Sequence, residues 1–498
     1  MTRAIRPNGA VLFATSEAHP LIKTGGLGDV SGSLPLALKR LGCDVRLVLP
    51  AYRKVLTHAG RLVRVAELML PDTGERVRVL QGTLNTDALI YYLIDLPLWF
   101  DRPGGPYTAP DGRDWPDNAE RFTAFSRAVV ELAMGRADHV WRPQVVHCND
   151  WPTGLVPALL ARETARPASV FTVHNLAYQG LFDRDTFARL RLPYDLWTPE
   201  GMEFYGRFSF IKGGLAFADL LTTVSPTYAS EIQTREFGCG LDGLLRHRAK
   251  DLCGILNGAD YAVWDPHQDP HIVARYDASN LNRKYKNRQA LQKQFNLPED
   301  PKALMLGAVT RLVEQKGVDL ILGALGSLWD NGLQVVVLGS GELHLERGLT
   351  ALSRERADRL AVYIGHDEAL AHRVVAGIDA LLMPSRYEPC GLSQMYSLRY
   401  GAIPIVRRTG GLADSVVDAT PEAIAARTAT GVSFTEPSAS ALAKAVRRAQ
   451  ELYRDRIAWR QIQRTGMAQD FSWKRSAEAY RALYAHADSK RRRLNLGA

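Results

Sequence analysis

The stretch GAVTRLVEQKGVDLIL places Arg311 and Lys316 just after a strand-like run and before a helix-like one. Two fixed cations beside a helix N-terminus form a clamp that neutralises a diphosphate without a metal. A pair of surface charges is the plain alternative. Farther along, PSRYEPCGLSQMYSLRYG sets Glu388 at a strand end and Cys390, Gly391 and Leu392 at the opening of a helix. There the carboxylate can take hydrogen bonds from hydroxyl groups while the Gly391 and Leu392 amides receive an anion. Taken alone, a carboxylate such as Glu388 is more often a plain helix-entry charge.

The first half of the chain offers a second set. VVHCNDWPTG puts Asp150 at a strand end, and FTVHNLAYQG puts His174 and Asn175 at the next. Asp150 reads equally as an N-cap for a helix beginning near Pro152, and a lone histidine such as His174 is commonly a satisfied core residue. Two glycine turns connect the sets: KTGGLGD from Lys23 to Asp29, and RTGGLAD from Arg408 to Asp414. Glycine permits close backbone approach, and a helix N-terminus offers free N–H groups to an anion. Neither turn is the P-loop or the dinucleotide fingerprint. Each alone passes for a structural tight turn, but their near-identity, with Lys23 ahead of one and Arg408 ahead of the other, points to shared ligand binding. In FDRDTF, Asp183 and Asp185 have the spacing of a metal-holding pair, yet they stand at a helix start, where capping is the favoured reading.

These groups need a scaffold that brings strand ends together. Short β-branched runs (AVLFATS, DVRLVLP, VVHCND, SVFTVHN, LLTTVS, then LMLGAVTR, QVVVLGSG, AVYIGH, ALLMPS, IPIVRR) alternate with segments of helical period. That alternation predicts an α/β chain of doubly wound parallel sheets with ligands at the carboxyl ends of the strands. It occurs in two blocks separated by a polar stretch rich in Asp, Asn and Pro, and the hinge is expected near Gly258 to Asp269. The expected domains are residues 1–257, residues 258–475, and residues 476–498, the last a C-terminal helix and basic tail. The last 60 or so residues read as two or three helices, the final one crossing back to brace the first domain.

Composition excludes several classes of function. At 498 residues, with ordinary apolar and charged fractions, this is a multidomain globular protein. The N-terminal apolar run enters a Gly-rich loop rather than a cleavage site, so no signal peptide is expected. No apolar run approaches the roughly 20 residues of a membrane span. Five scattered cysteines without C-x-x-C pairs fit a reduced cytoplasm better than disulfides or zinc. The net charge of +9 is spread along the chain, apart from KRRR at Lys490 to Arg493, which reads as a solvated tail. Nucleic-acid binding is not expected.

Together the strings resemble the bacterial and plant glycogen and starch synthases, retaining glucosyltransferases of the GT-B fold. KTGGLGD, HCNDW, TVHNLAYQG, GILNGAD, TRLVEQKG, PSRYEPCGLSQ and RTGGLAD occur in family order, and DFSW closes the series near Phe471. The resemblance implies two Rossmann-like domains facing a central cleft. It implies transfer of glucose from ADP-glucose to the non-reducing 4-OH end of an α-1,4-glucan, with ADP-glucose a substrate and neither cofactor nor metal needed. By the same resemblance Lys23 with the Gly25 and Gly26 backbone holds the distal phosphate, and Arg311 and Lys316 supply charge to the departing ADP. Glu388 holds glucose hydroxyls, helped by the amides of Cys390, Gly391 and Leu392, and His174 lies over the sugar near its 6-OH. Tyr107 and Asp150 shape the acceptor side, Asn257 contacts the donor sugar, and Thr409, Gly410 and Gly411 complete the phosphate cradle. Asp29 and Asn175 join the substrate-binding set. His366 stands where the family commonly has a tyrosine stacked on adenine. Pro152 follows NDW where relatives often carry His or Gln, and suits a first helical turn.

A retaining transfer needs either a protein nucleophile or an acceptor that arrives on the face the leaving group vacates. Retaining glycosidases use two carboxylates about 5 to 5.5 Å apart. No such pair is evident in the sequence, and the resemblance implies front-face displacement. A UDP-sugar donor or another acceptor leaves the same fold and clamp intact. A silent glucan-binding or nucleotide-sensing protein need not keep Lys23, His174, Arg311, Lys316 and Glu388 together.

Overall fold

A computed structural model describes residues 9–84, 88–136, 141–329 and 332–496. The chain forms two compact units, one of Met1–Gly258 with Trp473–Ala498 and one of Ala259–Ser472. Among the described residues no helix is long and apolar enough to cross a membrane.

Among its described residues the first unit holds twelve strands: β1 (Ala10–Ala14), β2 (Asp44–Pro50), β3 (Val63–Met69), β4 (Arg76–Leu84), β5 (Leu89–Asp95), β6 (Val145–Asn149), β7 (Ala168–Val173), β8 (Leu181–Phe182), β9 (Glu203–Phe204), β10 (Arg207–Ser209), β11 (Leu220–Thr223) and β12 (Leu252–Gly254). Nine form one sheet in the order β12-β11-β7-β6-β1-β2-β5-β4-β3, and β8-β10-β9 form a small antiparallel sheet. Pairing is parallel from β12 to β5, but β4 and β3 are antiparallel. The expected parallel sheet thus carries antiparallel strands at one edge. Its edge strand β3 alternates exposed and buried residues, as a strand covered on one face does, whereas β6 and β7 are buried throughout because helices cover both faces. The strand order reverses at β1, between β2 and β6, so the loops after β1 and β6 open at the switch point where such sheets bind ligands.

The second unit is a six-stranded, wholly parallel sheet, β15-β14-β13-β16-β17-β18, built from β13 (Leu304–Val309), β14 (Leu333–Gly339), β15 (Leu360–Ile364), β16 (Ala380–Met383), β17 (Ile403–Arg407) and β18 (Val432–Phe434). Its period of two sorts side chains between two cores. Leu304, Leu306, Val335, Val337 and Leu382 pack on one face, and Met305, Val336, Leu338 and Leu381 on the other. Its switch point lies between β13 and β16.

The polar stretch expected to be a hinge is folded onto the second unit. Asp269 is buried and accepts hydrogen bonds from the Tyr400 hydroxyl (2.6 Å) and from His372 (2.8 Å), and Trp264 stacks on His372 at 3.7 Å and on Tyr396 at 4.4 Å. The chain changes unit at Gly258/Ala259 and returns at Ser472/Trp473. The closing helix, Trp473–Leu496, is integrated into the first unit. Its Ser476 donates to the Leu256 carbonyl at 2.6 Å, and its Tyr484 hydroxyl meets the buried His147 at 2.7 Å. The basic run is not a solvated tail. It is helical, and Lys490 donates to the Asp219 carbonyl at 2.9 Å and pairs with Asp251, while Arg492 and Arg493 stay exposed.

Candidate active site

In the first unit the loop after β1 is organised by a residue the sequence reading missed. Glu17 is 3 % exposed. Its carboxylate accepts from the Thr24 amide (2.6 Å), the Thr24 hydroxyl (2.8 Å), the Gly25 amide (3.2 Å) and the Tyr107 hydroxyl (2.7 Å). One buried anion thus fixes the Thr24–Gly25 turn and places Tyr107 beside it. Gly25 is the N-cap of the helix Gly26–Arg40, and no side chain caps it. A Cβ on Gly25 or Gly26 would meet nothing within 4 Å, so both face open space, with Lys23 exposed and paired to Asp29 at 2.7 Å. A free helix N-terminus with a lysine beside it suits a phosphate.

Asp150 follows β6 with φ +56, a strained conformation for a side-chain-bearing residue. It does not cap the helix turn that follows, contrary to that alternative. Its carboxylate instead accepts from the amides of His174 (2.7 Å) and Asn175 (3.4 Å), tying the ends of β6 and β7 together. Burial pushes the Asp150 carboxyl up to about 7, against the pull of those two amides. Asn149 donates its side-chain N–H to Ala14 at 3.0 Å, which turns its oxygen toward His174 Nε2, also at 3.0 Å. His174 therefore carries its proton on Nε2, and Nδ1 is left as a hydrogen-bond acceptor. Burial holds this imidazole neutral, its pKa down to about 3. Asn257, after β12, is buried, and its Oδ1 has no hydrogen-bond partner among the described residues, so it suits a hydroxyl donor. Asp183 caps the helix Arg184–Arg189 by accepting from the Thr186 amide at 2.7 Å, as the capping reading anticipated.

In the second unit the loops after the adjacent strands β13, β16 and β17 supply the second set. Lys316 reaches Glu388 at 2.5 Å, and Ser385 donates to the same carboxylate oxygen at 3.0 Å. Glu388 is 5 % exposed. Arg311 is exposed and touches Gln315 at 3.4 Å. Gly317, at φ +68, abuts the Pro384 carbonyl and so lets the Lys316 turn approach β16. Cys390, Gly391 and Leu392 lead into the helix Ser393–Arg399, and Thr409 precedes the helix Gly410–Ser415. A Cβ on Gly410 would collide with the Glu388 carbonyl and one on Gly411 with the Cys390 carbonyl, and the Gly411 amide donates to Glu388 O at 3.1 Å. The two T-G-G turns are thus unlike: the first faces open space, the second is packed on the Glu388 loop. His366 is exposed after β15, two strands from β13 in the sheet order.

Residues 10–247 match the starch synthase catalytic domain family and residues 287–465 match glycosyl transferases group 1. The chain is 56% identical to glycogen synthase 2 of Nitrosococcus oceani, over 95% of this chain and 96% of that one. It is also 56% identical to the glycogen synthase of Thioalkalivibrio sulfidiphilus, over 95% and 99%. The catalytic domain of starch synthase IV from Arabidopsis thaliana, solved bound to ADP and acarbose, superposes with a TM-score of 0.86 at 34% identity, over 97% of this chain and 100% of that one. By its relatives, the two family matches and this superposition, the chain belongs to the glycogen synthase family, glycosyltransferases of the GT-B fold.

Proposed function

We propose that this chain transfers glucose from ADP-glucose to the non-reducing 4-OH of an α-1,4-glucan, with retention and without a metal, releasing ADP. The observation that carries the reading is the part-buried Lys316–Glu388 pair, its carboxylate loop held against the second T-G-G turn. It sets a cation for a phosphate and a carboxylate for sugar hydroxyls side by side on rigid strand ends. The ADP in the starch synthase structure supports the donor class, and its acarbose the acceptor class.

In this mechanism the bond from the anomeric carbon to the diphosphate oxygen breaks first, leaving an oxocarbenium-like ion paired with ADP. The acceptor 4-OH attacks from the vacated face, the new C1–O4 bond forms, and the hydroxyl proton passes to the leaving phosphate. Lys316 and Arg311 stabilise the charge growing on that phosphate. Lys23 with the Gly26 amide is a second phosphate ligand set; the Gly25 amide, already given to Glu17, is not part of it. Neutral His174 accepts a hydroxyl hydrogen bond at Nδ1, and Asn257 accepts another at its open Oδ1. Asp150 and Tyr107 shape the acceptor side.

The test is release of nucleotide on incubation with glycogen and either ADP-glucose or UDP-glucose, with and without EDTA. A higher kcat/KM with ADP-glucose, insensitive to EDTA, is expected. A higher value with UDP-glucose overturns the donor assignment, and loss in EDTA restored by Mg²⁺ overturns the metal-free mechanism.

A further inference from the structure

Tyr205 sits at the tip of the two-residue turn joining β9 to β10, with φ +49 at Tyr205 and +77 at Gly206. Turns of this kind are filled by Asn, Asp or Gly, and a bulky aromatic in the left-handed region is an outlier. Packing does not account for it, because Tyr205 is 81 % exposed. The ring is nevertheless held: Phe204 meets it edge-on at 4.8 Å, and it lies along Gly240. A strained, oriented and solvent-facing aromatic is the form a ligand platform takes, since strain of this kind persists at ligand clamps.

The position of the small sheet suggests what it meets. It begins at Leu181, seven residues after His174, and it is fastened to Trp151, the neighbour of Asp150: a Cβ on Gly180 would sit 2.6 Å from the Trp151 ring, and Phe182 lies 6.3 Å from it. Trp151 in turn lies 6.1 Å from Tyr107. One aromatic cluster thus joins the sheet that carries Tyr205 to the two residues assigned to the acceptor side. Pyranose rings present a face of C–H groups that packs on an aromatic ring, while their hydroxyls stay in water. We propose that Tyr205 is a stacking platform for a glucosyl unit of the acceptor chain well back from its reacting end, so that long glucans are favoured over short ones. The proposal rests on the glucan-synthase reading.

The test compares acceptors of different length. Tyr205→Ala is expected to raise KM for maltoheptaose and glycogen about tenfold, the size of one lost aromatic stack. KM for maltotriose and for ADP-glucose, and kcat, should stay within about twofold. Tyr205→Phe keeps the ring and should match the parent. Tyr205→Gly should lose the long acceptors like the alanine variant while raising Tm, because the left-handed strain is removed. Unchanged KM for glycogen in Tyr205→Ala, or an equal rise with maltotriose, overturns the platform. If the protein transfers no glucose from ADP-glucose, the functional reading fails; calorimetric titration with maltoheptaose then decides the platform separately, and absent binding or equal affinity in parent and Tyr205→Ala overturns it.

Discussion

The backbone carbonyl of Glu388 rests directly against Gly410, where any side chain would collide with it, and Gly410 holds φ +43. The second T-G-G turn is therefore a support for the carboxylate loop. Gly410→Ala must either push that loop away or strain the turn, so it should lower stability by about 1–3 kcal/mol and depress kcat together. Gly26→Ala has nothing within 4 Å to disturb. It should fold normally and impair only use of the donor. Urea unfolding and steady-state kinetics on both variants check the contrast; equal effects would mean that the two turns play the same part.

Lys316 and Arg311 separate in the same manner. Both cations are assigned to the charge that builds on the leaving phosphate, so each alanine variant should lose roughly 10²- to 10³-fold in kcat with a smaller change in KM. Arg311 is exposed, whereas Lys316 is paired with a buried carboxylate. Removing it leaves Glu388 buried with Ser385 alone, and Lys316→Ala should also lose about 1–3 kcal/mol of stability. The exposed Arg311 should change stability by less than about 0.5 kcal/mol. Near-normal kcat in both variants would show the clamp to be misplaced.

The parallel strands were legible because burial on both faces writes them as unbroken apolar runs, such as VVHCN and LMLGAV. The strands β3 and β4 alternate in burial but are hard to read, because charges such as Arg64, Glu67, Arg76 and Arg78 fall on their solvent face. The small sheet has strands of two or three residues, too short for any period. Motifs located the strand-end groups, but not what holds them. Glu17 has no partner at a telling spacing, since Tyr107 is 90 residues away. Sequence also could not distinguish the two T-G-G turns, because a glycine kept for an open approach and one kept for a packed carbonyl are the same letter.

His366 is exposed at the carboxyl end of the edge strand β15. If the adenine lies on this ring, a larger aromatic face should bind it better, because stacking gains with buried aromatic area. His366→Tyr should then lower KM for ADP-glucose and leave kcat nearly unchanged. An unchanged or raised KM would place the base elsewhere or show that imidazole already serves.

Asp150 and His174, joined through one backbone amide, should give stability opposite dependences on pH. The carboxyl of Asp150 is raised from 3.8 to about 7 by burial. Between those values the folded protein keeps a proton that the unfolded chain has lost, so stability falls as pH rises. His174 is lowered from 6.5 to about 3, and His147 is pushed in the same direction by burial. In their windows the unfolded chain binds the protons, so stability falls as pH drops. In the parent these slopes oppose each other and the sum is shallow. Asp150→Asn removes the carboxyl and leaves an oxygen able to accept from the His174 amide, so its stability should rise with pH between about 3 and 6.5. Relative to the parent, the variant should gain up to about 1.4 kcal/mol per pH unit between roughly pH 4 and pH 7. Urea unfolding of both proteins across this range measures the difference directly, and a difference independent of pH would mean that Asp150 is already ionised throughout.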